Sequence, residues 1–198
     1  MVSRKIQIVE CPRDAMQGLK QYIPASKKAD YINSLIRVGF DIIDFGSFVS
    51  PKSVPQMRDT SEVLSLLNLQ DNTTLLSIVL NQRGALDASN FDEISILGYP
   101  LSISEVFQKN NSNKNIQDSL VVLDEIQNIC INKNKILLVY LSMAFGNPYG
   151  EIWHEDIVLN YIEKMHDKGV RFISLADTMG NSTVNTINSV YSSVQTHF

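Results

Sequence analysis

Two spacings of apolar residues alternate along this chain. Short β-branched runs read as buried strands, and stretches with apolar residues three and four positions apart read as one face of a helix. The first predicted strand covers 5–10, and Pro12 should end it, because proline cannot continue a central strand. Ser26 is placed to cap a helix burying Ala29, Ile32, Leu35 and Ile36, with Gly39 as its stop. Further strands are predicted over 41–45, 74–80, 93–97, 135–142 and 171–176. Between them lie a helix carrying Val63, Leu64 and Leu67 and a short one over 84–91. The polar, asparagine-rich stretch 108–115 reads as an exposed loop ending in a cap at Asn115. The helix it opens carries Ile116, Leu120, Leu123 and Ile126 on one face, and Cys130 continues that face as core. Helices over 154–168, closed by Gly169, and over 183–194 complete the pattern.

Six strand-and-helix units in strict alternation predict an α/β fold with a parallel sheet and helices outside it. No GxGxxG follows the first strand, which argues against a dinucleotide-binding fold. The polar motifs sit after the strands, as in a (β/α)8 TIM barrel, where the site is built from those loops. A complete barrel has eight units in about 250 residues. The expectation is therefore one domain over 1–198, a TIM-type barrel with about six of its eight units. Its first and sixth strands would each lack a neighbour. Ile6, Ile8 and Ile173 would then be exposed at the gap, and the open edges would recruit a second copy or belong to a longer chain.

Composition narrows the function. Of the 198 residues 44% are hydrophobic and 19% charged, as in an ordinary soluble protein. A net charge of -4 without a basic block speaks against nucleic acid. No apolar run approaches the roughly 20 residues of a membrane span. Arg4, Lys5 and Gln7 interrupt any signal-peptide core. The two cysteines, Cys11 and Cys130, make no disulfide framework and no CxxC, so a reducing cytoplasm is expected.

Candidate chemistry gathers at the strand ends. Arg13 and Asp14 follow the first strand: the carboxylate can hold a divalent metal and the guanidinium can stabilise an oxyanion. A surface ion pair in a loop reads equally well. Asp44 repeats the pattern after the second strand, with Ser47 close behind, and a carboxylate capping its own loop is the alternative. Tyr140 and Ser142 share one face of the fifth strand, as site or as packing. Asp177 and Thr178 follow the sixth strand, where they can also cap the next helix. His154, His166 and His197 are too scattered for a metal set.

Three segments carry a resemblance: Ile8-Val9-Glu10-Cys11-Pro12-Arg13-Asp14, the run from Ser47 to Met57, and that from Ser174 to Gly180. With them, almost the whole chain resembles the hydroxymethylglutaryl-CoA lyases, TIM-barrel metallolyases related to the isopropylmalate and homocitrate synthases. Ser-Phe-Val-Ser-Pro-Lys at 47–52 and Val-Pro-Gln-Met at 54–57 favour the lyases, as does Pro12 where the synthases carry Leu. The resemblance implies cleavage of 3-hydroxy-3-methylglutaryl-CoA to acetoacetate and acetyl-CoA, in leucine catabolism. It implies Asp14 as a ligand of Mg²⁺ or Mn²⁺ and Arg13 as the group facing the enolate, with Asp44 and Asp177 as active-site carboxylates. Gln17, Lys20, Ser47, Tyr140, Ser142 and Thr178 match the acyl-CoA pocket. The sequence departs in two ways. The family carries Glu where Asp44 stands, a methylene longer. Its His-x-His ligand pair, its asparagine ligand and its lid cysteine have no counterpart here, so the 198 residues alone are expected to be inactive. An acyl-CoA-condensing synthase and a non-catalytic partial barrel are the alternatives, and a homo-oligomer is compatible with each.

Overall fold

The structure is a computed structural model that describes residues 6–69 and 73–197. The chain runs β1 (Val9–Glu10), α1 (Pro12–Gln17), α2 (Ala25–Val38), β2 (Ile42–Ser47), a 3₁₀ turn (Pro55–Met57), α3 (Thr60–Ser65), β3 (Thr74–Ile78) and α4 (Gln82–Ser89). It continues with β4 (Ile94–Ser102), α5 (Glu105–Ser112), α6 (Ile116–Asn132), β5 (Ile136–Ser142), α7 (Glu155–Asp167), β6 (Phe172–Leu175) and α8 (Val184–His197). The six strands are hydrogen-bonded in chain order, β1-β2-β3-β4-β5-β6. β1 with β2, β2 with β3 and β5 with β6 run parallel. No helix among the described residues is long and apolar enough to cross a membrane.

By its contacts the chain forms two compact units, one of residues 1–97 with 132–136 and one of 98–131 with 137–198. In the first, the sequence overstated β1. Lys5, where the predicted strand begins, lies outside the described residues; among the described ones Val9 and Glu10 pair with β2, and Ile8 O accepts from Ile42 N at 3.3 Å. Among the described residues β1 pairs with β2 alone, and it is not buried: Val9 is 39% exposed, and Ile8 and Ile6 ahead of it 57% and 85%. α2 buries Ala29, Ile32 and Ile36 as expected, with Leu35 half-buried. Its cap is Pro24 and not Ser26. Extended Pro24 (φ -60°, ψ 149°) turns its carbonyl onto the N–H groups of Lys27 and Lys28. Gly39 stops the helix at φ 90°, a left-handed conformation that suits glycine.

β2 runs on to Ser47, past the predicted end, because a register shift between Asp44 and Gly46 lets it keep pairing with β3. Asp44 therefore lies inside the strand.

In the second unit the expected loop 108–115 is a correction. α5 covers it as far as Ser112, and Asn113 ends the helix at φ 56°. Gln108 is 1% exposed. Its Oε1 accepts from Ser102 N at 2.7 Å, and its Nε2 donates to Ser112 Oγ and Ser119 Oγ, both at 2.8 Å. Ser104 Oγ caps α5 by accepting from Phe107 N at 3.1 Å. Glu151 adds a second cap: its Oε1 accepts from Glu105 N at 3.0 Å and Val106 N at 3.2 Å, and its Oε2 faces Ser104 Oγ. Asn115 caps α6 as predicted, accepting from Asp118 N at 2.7 Å, and Leu123, Ile126 and Cys130 are buried. β4 is longer than its predicted 93–97, since the strand takes in Gly98 and Pro100 and runs on to Ser102. Tyr99 is buried there, its hydroxyl donating to Ser119 O at 3.0 Å. Ile173, expected to be exposed, is half-buried.

Replacing Gln108 with Leu keeps the volume but leaves Ser102 N–H buried without its acceptor. The expected cost is about 1–3 kcal/mol of stability. Urea unfolding of Gln108→Leu against wild type measures it; an unchanged midpoint would mean the amide is dispensable.

Candidate functional site

Pro12 occupies the first turn of α1, where its missing N–H costs nothing. That places Arg13 and Asp14 on a short helix and not in a loop. Met16 is buried beneath it. Arg13 is 12% exposed and spreads its guanidinium between two carboxylates and an amide. Its Nε lies 3.2 and 3.1 Å from Asp44 Oδ1 and Oδ2, and its Nη2 2.6 Å from Asp44 Oδ2. Its Nη1 donates to Asp14 Oδ1 at 3.0 Å and Gln17 Oε1 at 2.9 Å. Gln17 Nε2 closes the ring on Asp14 Oδ1 at 2.8 Å. The helical spacings 13/17 and 14/17 make this possible, since they place the three side chains on one face.

The two carboxylates differ sharply. Asp44 has no exposed side-chain surface, while Asp14 is 64% exposed. Burial pushes Asp44 up to about 6, against the opposing pull of Arg13. Cys11 is half-buried beside them, and burial followed by the Asp44 charge pushes its thiol up to about 11. A thiol so disfavoured as thiolate is a poor nucleophile at neutral pH.

The other predicted residues fall in separate surroundings. Ser47 is buried; its Oγ accepts from Val49 N at 3.2 Å, and its backbone N donates to Thr60 Oγ1 at 3.1 Å. A Cβ on neighbouring Gly46 would come within 2.5 Å of Thr60 Cγ2, so glycine permits this approach. Lys20 is exposed on the connection between α1 and α2. In the second unit, Ser142 is buried and its carbonyl accepts from Ile103 N at 3.2 Å, while Tyr140 is half-buried. Thr178 Oγ1 accepts from Met143 N at 2.8 Å. Asp177 closes its own loop: Oδ1 accepts from Asn181 N and Oδ2 from Ser182 N, both at 3.1 Å. A side-chain hydrogen bond from Ser182 leads in holding its carboxyl below the usual range, with the backbone bonds adding to it. His154 caps α7 through Nδ1, which accepts from Asp156 N at 3.2 Å.

Sequence reasoning gave no role to Gln56. This side chain is buried, and its amide binds the backbone of the connection that carries Lys20. A lone amide between Pro55 and Met57 gives no spacing signal, and the one available hint was Lys28 in register with the apolar face of α2.

Parallel strands in chain order, with an arginine–carboxylate cluster where β1 hands over to α1, belong to the TIM-barrel class of α/β proteins. Within it, the chain is similar over nearly its whole length to hydroxymethylglutaryl-CoA lyases. It is 30% identical to that of Bacillus subtilis over 98% of this chain and 65% of the lyase. The mitochondrial lyase of Gallus gallus is 31% identical over 96% of this chain and 64% of its own length. The chain thus spans a little under two thirds of these relatives. Among solved structures, the Bacillus subtilis HMG-CoA lyase superposes with a TM-score of 0.92 at 31% identity, covering 98% of this chain and 65% of that one. An Acinetobacter baumannii HMG-CoA lyase in complex with coenzyme A and 3-methylmalate gives 0.91 at 29% identity, covering 97% and 63%. No family model matches the chain.

Asp44 makes stability depend on pH. Its folded value near 6 lies above the ordinary 3.8, so between about pH 4 and 6 the folded state binds more protons than the unfolded one. Stability should therefore fall as pH rises through that window, with the penalty complete above it. Urea unfolding from pH 4 to 7 should show the decline in wild type and a flatter profile in Asp44→Asn. Parallel profiles would mean that Asp44 does not titrate in that range.

Proposed function

We propose that this chain serves a carbon–carbon lyase reaction of the hydroxymethylglutaryl-CoA lyase kind, cleaving 3-hydroxy-3-methylglutaryl-CoA to acetoacetate and acetyl-CoA. The observation that carries the reading is the Arg13 fork. A nearly buried guanidinium is fixed by the buried Asp44 on one side and by the solvent-facing Asp14 on the other. Such a preorganised cation suits an oxygen that gains charge, here the enolate oxygen of the departing acetyl-CoA. Gln17 holds both Arg13 and Asp14 in register.

Asp14 suits a divalent cation such as Mg²⁺ or Mn²⁺. Both Asp44 oxygens face Arg13, whereas Asp14 keeps an exposed anionic carboxylate. Among the described residues no group of three or more His, Cys, Asp or Glu side chains is placed to hold a metal. One carboxylate completed by water and substrate is a common arrangement for Mg²⁺. The ion would polarise the substrate's hydroxyl and an adjacent oxygen. On the same reading Lys20, Ser47, Tyr140, Ser142 and Thr178 contact the acyl-CoA, and Asp177 serves as an active-site carboxylate. The coenzyme A bound to the Acinetobacter baumannii relative supports the substrate class. A chain with two cysteines and no disulfide framework fits a reducing cytoplasm, although relatives carry both cytoplasmic and mitochondrial names.

The test is an assay of the full-length natural protein with Mn²⁺, for cleavage of hydroxymethylglutaryl-CoA and for condensation of acetyl-CoA with a 2-oxo acid. Cleavage alone supports the lyase. Condensation would move the protein to the synthases, and neither activity would overturn the reading. In that protein Arg13→Lys should fold and lose about 10²–10³ in turnover, because a flexible ammonium cannot reproduce the fork. Near wild-type turnover would remove Arg13 from the chemistry. Asp14→Asn should raise the Mn²⁺ concentration needed for half-maximal activity, since the amide removes an anionic ligand. An unchanged metal dependence would leave Asp14 as a partner of Arg13 only.

A further inference from the structure

The connection between α1 and α2, Leu19 to Pro24, lines a cavity of about 370 Å³. It has no helix or strand of its own, so its backbone groups need partners from elsewhere. One side chain supplies three of them. Gln56 is 4% exposed; its Oε1 accepts from Ile23 N at 2.9 Å, and its Nε2 donates to Leu19 O at 3.2 Å and Gln21 O at 2.9 Å. Both amide protons and the carbonyl of Gln56 are thus committed to this segment. The two carbonyls it holds flank Lys20, which is exposed.

Gln56 is itself anchored. Its backbone carbonyl accepts from the Nζ of Lys28, which is 2% exposed and lies 2.6 Å from Asp59 Oδ1. Asp59 Oδ2 in turn accepts from Tyr22 of the same connection at 2.7 Å. The Tyr22 ring carries the Arg58 guanidinium 4.1 Å from its centre and the Lys28 ammonium at 4.9 Å. The segment is therefore held at Leu19, Gln21, Tyr22 and Ile23, and Lys20 is the cationic side chain left to face a ligand.

We propose that Gln56 is a positioning residue. By clamping the carbonyls on either side of Lys20, it fixes where that ammonium meets an anionic group of the ligand, a phosphate of the acyl-CoA. The ligand's identity rests on the lyase reading above; the clamp does not. Ordering a segment before the ligand arrives removes that cost from binding.

Two measurements on the full chain test it, with coenzyme A as the probe. The first is ¹⁵N relaxation at Lys20 and Tyr22. Wild type should give order parameters above about 0.8, and Gln56→Met should lower them below about 0.6. Should Gln56→Met fail to fold, Gln56→Glu replaces it. That variant keeps the acceptor for Ile23 and turns an oxygen onto Leu19 O and Gln21 O, so it releases the Lys20 segment selectively. The second is a calorimetric double-mutant cycle. Gln56→Met and Lys20→Met should each weaken coenzyme A binding about tenfold, and the double variant no further. Unchanged order parameters would overturn the clamp. Additive losses would overturn its action through Lys20. A wild-type protein that ignores coenzyme A would count against the acyl-CoA reading, and the relaxation data would still decide the clamp.

Discussion

The bond between Arg13 and Asp44 is the constraint on which the candidate site depends. It joins side chains 31 positions apart, with the carboxylate wholly buried and the guanidinium nearly so. α1 is only six residues long, far below the length at which a helix stands alone. Its place on β2 is set by this pair together with buried Met16. A buried pair contributes little net stability, but removing one partner costs roughly 3–5 kcal/mol because the other charge is stranded. The pair thus fixes an orientation more than it adds stability. Everything attached to the guanidinium, Asp14 and Gln17 included, inherits that orientation.

Elsewhere the same task falls to buried amides. Gln56 holds the connection before α2. Asn33 binds the end of α3 from both sides, donating to Leu66 O at 3.0 Å and accepting from Asn68 N at 2.7 Å. Gln108 ties α5 to the end of β4 and to Ser119 of α6. In each case a side chain with donor and acceptor at one tip satisfies backbone where the sheet or a helix ends. Among the described residues no buried side-chain nitrogen or oxygen lacks a partner.

This pattern explains what could be read from the sequence. Apolar spacing gave the α2 and α6 faces, because Ile32, Ile36, Leu123 and Ile126 repeat with the helical period. Cap chemistry gave Asn115, and the strand-end motif brought Arg13, Asp14 and Asp44 forward as a group. The misses have physical causes. Pro24 displaced Ser26 as a cap because its fixed extended backbone already presents a carbonyl to the helix. The 108–115 stretch was read as exposed because asparagine-rich segments usually are, and a single buried glutamine leaves no periodic trace. The length of β2 depended on a register shift, which alternation cannot foresee. The substrate roles expected of Tyr140, Ser142, Asp177 and Thr178 came from resemblance alone, because no spacing in the sequence points to them.

Glu151 has a bearing on the order in which the second unit can be completed. Its carboxylate sits on the first N–H groups of α5, 46 positions upstream of it at Glu105. Glu105 in turn accepts from Ile116 N at 3.2 Å, at the start of α6. During vectorial synthesis α5 and the opening of α6 would leave the ribosome well before the acid that closes α5. Until then Ser104 can cap Phe107 N, but the N–H groups of Glu105 and Val106 must be satisfied by water or left frayed. Contacts of such long sequence separation form late, since the intervening loop has to close first. The most regular part of this unit, α6, can therefore form early, while the turn that precedes it awaits the β5–α7 connection.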